Sequence, residues 1–226
     1  MKPSLPFSPR FARLVVLVVL ILTTSAVAGP PLICHPFDIG SAKSLPWTGS
    51  AWNLSGNEGY DTSNLARDTI ALLDSNTPVI VRMETLRRAT LYARKDSRAA
   101  KELLTRLHAR ATGNQDALAW FDLGYLAETY RQWLNDQNPA AGLDGYSFVK
   151  QALALRGNDA EMEFAAALIT LRGPYPEHLQ HSQKAIAGAK AEALLARNLA
   201  SRFLGNEKQT VAQALTQKTS LGGGEQ

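Results

Sequence analysis

The sequence predicts an all-α protein built from antiparallel helix pairs, preceded by an extended N-terminal segment. From Asp61 onward, apolar residues recur with the three- and four-residue spacing of amphipathic helices, and glycine, proline and asparagine separate one such stretch from the next. The alternation of apolar and polar residues that is typical of strands is almost absent. In addition, similar helical stretches recur along the chain, which favours repeated helix pairs.

Residues 1–28 have the pattern of a secretory signal. Three basic residues precede a nine-residue apolar run at 14–22, and the sequence AVA that ends at Ala28 is a cleavage site of the A-x-A type. The run is well short of the roughly 20 apolar residues that span a bilayer. We therefore expect an exported chain, periplasmic or secreted after cleavage following Ala28. An uncleaved N-terminal anchor is the alternative, and this segment would then be the only contact with a membrane.

The charge balance changes when this segment is removed. Three of the 24 basic residues and none of the 20 acidic residues lie in it, so the remaining chain is close to neutral. A nearly neutral chain lacks the basic excess that is typical of nucleic-acid-binding proteins, and we expect no nucleic-acid partner. Cys34 is the single cysteine, which excludes an internal disulfide framework, so packing must hold the fold together.

Residues 29–60 are rich in glycine, proline, serine and asparagine and show no sustained periodicity. We predict that they form an extended strap outside the helical stack. Leu32, Ile33, Phe37 and Trp47 are expected to pin this strap against the first helices, because apolar side chains gain free energy when they leave water. Cys34 is expected to be buried with them, since a free cysteine packs as a small apolar residue.

The helical-repeat domain is predicted over residues 61–220, and residues 221–226 are predicted to be a disordered tail. One helix has a clear start signal, with Thr77 as its N-cap and Pro78 at its first position. Its Arg87-Arg88 pair is interpreted as part of a solvated face. A turn-rich break covers 135–145. The predicted helical stretches are 62–74, 77–96, 97–113, 114–134, 146–157, 158–173, 176–190, 191–205 and 207–219.

Internal similarity indicates that the helices form a repeat. Residues 115–126 align without gaps with residues 158–169, at a spacing of 43 that approaches 33 once the break at 135–145 is deducted. Asp116 then matches Asp159 in the aligned stretches. Residues 159–168 align in turn with 190–199 at a spacing of 31. Helix pairs that recur at this interval are typical of an α-solenoid.

The stretch WFDLGYL, with Trp120, Leu123 and Gly124, resembles the first-helix signature of the tetratricopeptide repeat. The similarity covers residues 78–220 and is strongest over 115–172. It implies a short tetratricopeptide-like solenoid, an all-α fold of stacked antiparallel helix pairs. The signature has a small residue in the first helix; this is Gly124, then Ala167, but Asn198 in the last copy. The last copy therefore departs from the family pattern.

The resemblance implies that the first helix of each pair lines a concave groove. Tyr125, Glu128 and Thr129 would then face this groove, with Arg172 in the next copy. Trp133, at the helix end beside the break, is a separate candidate for contact with a ligand. Aromatic side chains at helical spacing are also common in cores, so a core position is the alternative interpretation for Trp133. On these grounds we predict an exported scaffold or adaptor that binds a protein or peptide partner.

A second hypothesis rests on the adjacent pair Cys34 and His35. It is a metal- or thiol-dependent envelope enzyme in which this pair acts with His178 or His181, two histidines that lie three residues apart. The chain contains no second ligand pair, phosphate-binding loop or nucleophile elbow, so we assign no catalytic residue, metal ligand or cofactor. Without such a role, both histidines are expected to be exposed on a helix surface.

Overall fold

The computed structural model describes residues 29–48, 54, 56–114, 116–157, 159–173 and 176–202. Over these ranges the protein is all-α, with eight α-helices, two short 3-10 turns and no strand, which confirms the predicted fold class. The predicted signal at 1–28, the last predicted helix at 207–219 and the predicted tail at 221–226 lie outside the described residues.

The helices are α1 (Leu65–Leu72), α2 (Val79–Ala93), α3 (Ser97–Asn114), α4 (Ala117–Trp133), α5 (Gly145–Arg156), α6 (Ala160–Thr170), α7 (His178–Gly188) and α8 (Ala193–Arg202). A 3-10 turn at Thr62–Asn64 precedes α1, and a second at Asn135–Gln137 lies in the break between α4 and α5. Among these described helices, none combines the length and the apolar character needed to cross a bilayer.

Matched aspartates begin two of the helices. Asp116 accepts hydrogen bonds from the backbone N–H groups of Leu118 and Ala119, and Asp159 accepts one from Met162. Each carboxylate thereby satisfies donors that the first helical turn leaves unpaired. The two aspartates occupy equivalent positions in the aligned stretches. The residues that align in sequence are therefore both helix N-caps in the structure. The assignment to the tetratricopeptide family stays a prediction.

Adjacent helices form packed pairs, and the contacts of α4 with α5 and of α6 with α7 are the most extensive. Gly124 on α4 explains how closely the first pair approaches. A Cβ atom at Gly124 would lie 2.6 Å from the carbonyl oxygen of Gly145 and 2.9 Å from the amide nitrogen of Val149. Only glycine permits this backbone contact, so the small residue of the repeat signature has a packing role. The further arrangement of the pairs as a solenoid stays a prediction.

Helix α2 occupies the centre of the protein. It contacts α1, α3, α4 and α6, and all its residues except Arg88 are buried. Arg82, Glu84 and Arg87 have no exposed surface, although they are charged. The interpretation of Arg87-Arg88 as a solvated face is therefore wrong: Arg87 is fully buried, and 17% of the Arg88 side chain is exposed. Buried charges need partners in the fold, and the guanidinium of Arg82 has one in Asp122 on α4, at 2.6 Å.

The start of α2 differs by one residue from the prediction. The helix begins at Val79, and Pro78 occupies the N-cap position without a side-chain hydrogen bond. The hydroxyl of Thr77 donates instead to the carbonyl oxygen of Leu72. The backbone N–H of Ile80 donates to Glu161 Oε2 on α6, at 3.1 Å. A carboxylate from a distant helix thus performs the capping that local sequence assigned to Thr77.

Candidate functional site: the strap and the helices that hold it

The first described stretch of the segment predicted as a strap over 29–60, residues 29–48, lies across alternate helices of the protein. It has no helix or strand of its own. Side chains from α2, α4, α6 and α8 each contact it, as the following distances establish. We refer to residues 29–48 as the strap, and to the side chains of these four helices that contact it as the strap-binding face.

The strap begins with a tight turn on α4. The backbone N–H groups of Ile33 and Cys34 both donate to the carbonyl oxygen of Pro30, at 3.0 Å. The N–H of Leu32 donates to Gln132 Oε1 near the end of α4, also at 3.0 Å. Leu32 and Ile33 have no exposed surface, so this turn presents two aliphatic side chains to the core. The predicted burial of both residues is confirmed.

Helix α2 binds the middle of the strap through its buried charges. Glu84 Oε2 accepts a hydrogen bond from the backbone N–H of Phe37 at 2.9 Å, and the same carboxylate is paired with Arg87 and Arg88. Arg87 Nη1 donates to the carbonyl oxygen of Ile33 at 2.9 Å. These bonds go to the backbone of the strap and satisfy polar groups that would otherwise be buried without partners. Such contacts hold an extended chain largely independently of its side chains.

The aromatic side chain of Phe37 crosses from the strap to α6. It is 3% exposed and meets Phe164 edge to face, with the ring centroids 6.2 Å apart. Aromatic rings prefer this geometry because the positive edge of one faces the negative face of the other. Phe37 is therefore an anchor of the strap, as predicted, and its partner lies on a helix far along the chain.

Helix α8 binds the strap at Asp38. The side-chain amide of Asn198 accepts a hydrogen bond from the backbone N–H of Asp38 at 2.9 Å and donates one to its carbonyl oxygen at 2.8 Å. Arg197 Nε lies 2.7 Å from Asp38 Oδ2. Hydrogen bonds from Arg197 and from the N–H of Gly40 hold the pKa of Asp38 below its ordinary value.

The C-terminal end of the strap is fixed by α2. Arg88 Nη1 donates to the carbonyl oxygen of Leu45 at 2.7 Å, and the Tyr92 hydroxyl donates to the carbonyl oxygen of Pro46. Trp47 is partly buried against the core, with its ring 6.1 Å from that of Tyr92. The Tyr92 hydroxyl also accepts a hydrogen bond from the N–H of Asn57 at 2.9 Å. One tyrosine therefore contacts both Pro46 in the strap and Asn57 after it.

Three of the residues predicted to face a groove are buried between helices. Tyr125 and Thr129 have no exposed surface, and Glu128 is 2% exposed. The Thr129 hydroxyl lies 2.7 Å from that of Thr90 on α2, and Glu128 Oε1 accepts a hydrogen bond from the N–H of Tyr146 on α5. Burial raises the pKa of Glu128 above its ordinary value. The expected groove-facing placement of these three residues is corrected: Glu128 and Thr129 join helices, and Tyr125 lies in the core.

The other two predicted partner-binding residues have accessible positions. Trp133 at the end of α4 is partly buried, and the guanidinium of Arg94 lies 4.8 Å from the centroid of its ring. Arg172 follows α6 and is exposed. Arg172 also lines a pocket with Pro30 and Pro31 at the start of the strap. Of the five predicted residues, these two remain available to a partner, and their role stays a prediction.

The histidines of the second hypothesis have structural partners. Nδ1 of His178 lies 3.1 Å from the carbonyl oxygen of Ala167, so this nitrogen must be the donor. His181 is 6% exposed, which corrects its expected exposure. Its Nδ1 lies 2.5 Å from Glu163 Oε2 and its Nε2 lies 2.7 Å from the Tyr146 hydroxyl, so it links α5, α6 and α7.

Cys34 differs from its predicted burial and is partly exposed. The reason is local: Leu32 and Ile33 point into the core, and the turn at Pro30 brings Cys34 close to Gly29. In the described part of the chain, no group of three or more histidine, cysteine, aspartate or glutamate side chains is placed to hold a metal ion.

The residues that bind the strap were mostly missed by sequence reasoning. Glu84 and Arg87 have the spacing of an ordinary solvent-exposed ion pair, and nothing near Gln132 distinguishes it from a surface residue. Asn198 did give a signal, because it interrupts the small-residue pattern set by Gly124 and Ala167. The departure now has a physical reason: this position hydrogen-bonds the strap.

No protein-family model, no curated protein and no solved structure matches this chain.

Proposed function

We propose that the chain is an exported helical-repeat protein that binds a protein or peptide partner as a scaffold or adaptor. One observation carries the proposal: side chains on α2, α4 and α8 already hold an extended polypeptide, the strap, by hydrogen bonds to its backbone. A surface that binds main-chain groups in this way suits peptides generally, because every peptide offers the same donors and acceptors. The tetratricopeptide-like pattern supports the same class of function.

The partner contacts the protein beside the strap in this proposal, since the strap occupies the strap-binding face. Trp133 and Arg172 are the residues that we assign to this contact. Tryptophan and arginine are enriched among the residues that dominate binding energy at protein interfaces. Export follows from the signal pattern at 1–28, and the nearly neutral remaining chain supports a protein partner over nucleic acid.

Site-specific photo-cross-linking in the native cell envelope tests this function. A photoreactive residue at position 171, which is exposed beside Arg172 and leaves that arginine in place, is expected to cross-link one discrete partner. The same residue at position 98, an exposed arginine on α3, serves as the matched control. The proposal fails if position 171 gives no discrete product, or if positions 171 and 98 give the same products.

A further inference from the structure

A pocket of about 480 Å³ lies where the strap begins. The strap contributes Pro30 and Pro31, and the end of α4 contributes Arg131 and Gln132. Ile169 comes from the end of α6, and Arg172 follows that helix. Three separate parts of the chain thus converge on one opening. A volume of this size falls within the range of about 300–1,000 Å³ that is common for ligand pockets.

The described charged residues that line this pocket are all positive. Both charged residues among its described lining are arginines, and none of that lining is acidic. Arg131 is paired with the buried Glu128, which offsets its charge. Arg172 is exposed, and it forms no ion pair with any residue in the described ranges. At least one guanidinium therefore remains to bind an incoming anion.

The rest of the lining suits a carboxylate that is attached to an apolar group. Gln132 uses its oxygen to accept the N–H of Leu32, and its amide nitrogen is a further donor. Pro31 and Ile169 are buried at the pocket wall and supply apolar surface. A planar guanidinium binds a carboxylate through two parallel hydrogen bonds, which gives direction as well as charge complementarity.

We propose that this pocket binds a carboxylate of the partner polypeptide, with an apolar side chain next to it against Pro31 and Ile169. The inference rests on the proposed function and names the chemistry that the partner presents. The carboxylate comes from a free C-terminus or from an aspartate or glutamate side chain, since both place the same group before Arg172.

Three short peptides separate these sources. Acetyl-Gly-Leu-Ala with a free C-terminus carries only the terminal carboxylate, acetyl-Gly-Leu-Asp-amide carries only a side-chain carboxylate, and acetyl-Gly-Leu-Ala-amide carries neither. Binding to the purified exported protein is followed by NMR titration. We expect one or both carboxylate peptides to bind at least tenfold more tightly than the neutral amide, and to shift signals of Arg172 and Ile169.

Substitution of the arginine gives the matched comparison. R172Q is expected to weaken carboxylate binding at least tenfold, whereas R98Q on the exposed face of α3 is expected to leave it unchanged. Arg172 lies after the last turn of α6, where a cation also interacts favourably with the helix dipole. Melting temperatures of both variants control for this structural role, which would change stability without changing the selectivity for carboxylates.

Three outcomes overturn the proposal: all three peptides bind alike, none binds, or R172Q binds as tightly as the unsubstituted chain. Binding that appears only when residues 221–226 are removed also overturns it, because the protein's own C-terminus would then be the occupant. If a partner is cross-linked but R172Q leaves its affinity unchanged, the proposed function is supported and the carboxylate pocket is contradicted. Peptide binding without any cross-linked partner would support the carboxylate pocket and contradict the proposed scaffold function.

Discussion

At the residue scale, Asn198 connects two parts of the chain that are 160 positions apart. Its amide pairs with both backbone groups of Asp38 in the strap, and it also donates to the carbonyl oxygen of Leu194 in its own helix. An asparagine within a helix has a lower helix propensity than alanine, so its presence is a local cost to α8. The two hydrogen bonds to the strap offset that cost.

Replacement of Asn198 by alanine distinguishes the effect of the repeat pattern on stability from the effect of the contact with the strap. Alanine restores the small residue that the pattern favours, so the pattern alone predicts equal or higher stability. Loss of the two hydrogen bonds to Asp38 predicts instead that the free energy of unfolding falls by about 1–2 kcal/mol. Chemical denaturation measures the difference, with N76A at an exposed turn as the control. A stability equal to that of the unsubstituted chain would show that the strap contact contributes nothing.

Glu161 makes the stability depend on pH. Burial raises its pKa from the ordinary value of 4.5 to about 7, and the nearby carboxylates of Glu192 and Asp159 act in the same direction. Between these two pH values the folded chain binds more protons than the unfolded chain. The contribution of Glu161 is therefore complete below pH 4.5 and is lost as the pH rises through 7.

We expect the free energy of unfolding to fall by about 2 kcal/mol between pH 4.5 and pH 7 because of this one group, after allowance for partial solvent screening. E161Q keeps an oxygen that can accept the N–H of Ile80 but cannot ionise. Denaturation curves across this pH range should therefore be flatter for E161Q than for the unsubstituted chain. Parallel curves for the two proteins would assign the pH dependence to other groups.

At the element scale, the fold depends on how closely α4 approaches α5 and on how α2 is enclosed. The helices could be predicted from periodicity, and the caps at Asp116 and Asp159 from residue type, because both depend on neighbours in sequence. The partners of Glu84 and Arg87 could not be predicted from sequence, because they include backbone groups of the strap more than forty residues away. From sequence alone, charged residues of a helix are assigned to a solvent-exposed face, because the segment that covers them in the fold is not known.

The Gly124 contact gives a prediction for the α4–α5 pair. In G124A the new methyl group would overlap two backbone atoms of α5, neither of which can move without shifting the helix. We expect a loss of about 1–3 kcal/mol in the free energy of unfolding. G113A is the control, since a Cβ there meets nothing within 4 Å and alanine favours the helix. A neutral G124A would mean that the two helices are not in this close contact.

At the scale of the whole molecule, the strap and the helices form one folded unit. The strap covers Glu84 and Arg87, and these charges in turn satisfy its backbone. The apolar anchors of the strap could be predicted from composition, while the identity of the strap-binding face required the structure. The same arrangement leaves Arg172 at the start of the strap, where the proposed partner would bind.

Amide hydrogen exchange of the strap measures whether the helices hold it. In the chain that begins at Gly29, the N–H groups of Leu32, Phe37 and Asp38 each donate to a side chain on a different helix. We expect these amides to exchange as slowly as those in the middle of α2, since they would open only with the whole fold. Exchange at the rate of an unprotected loop would mean that the helices do not hold the strap.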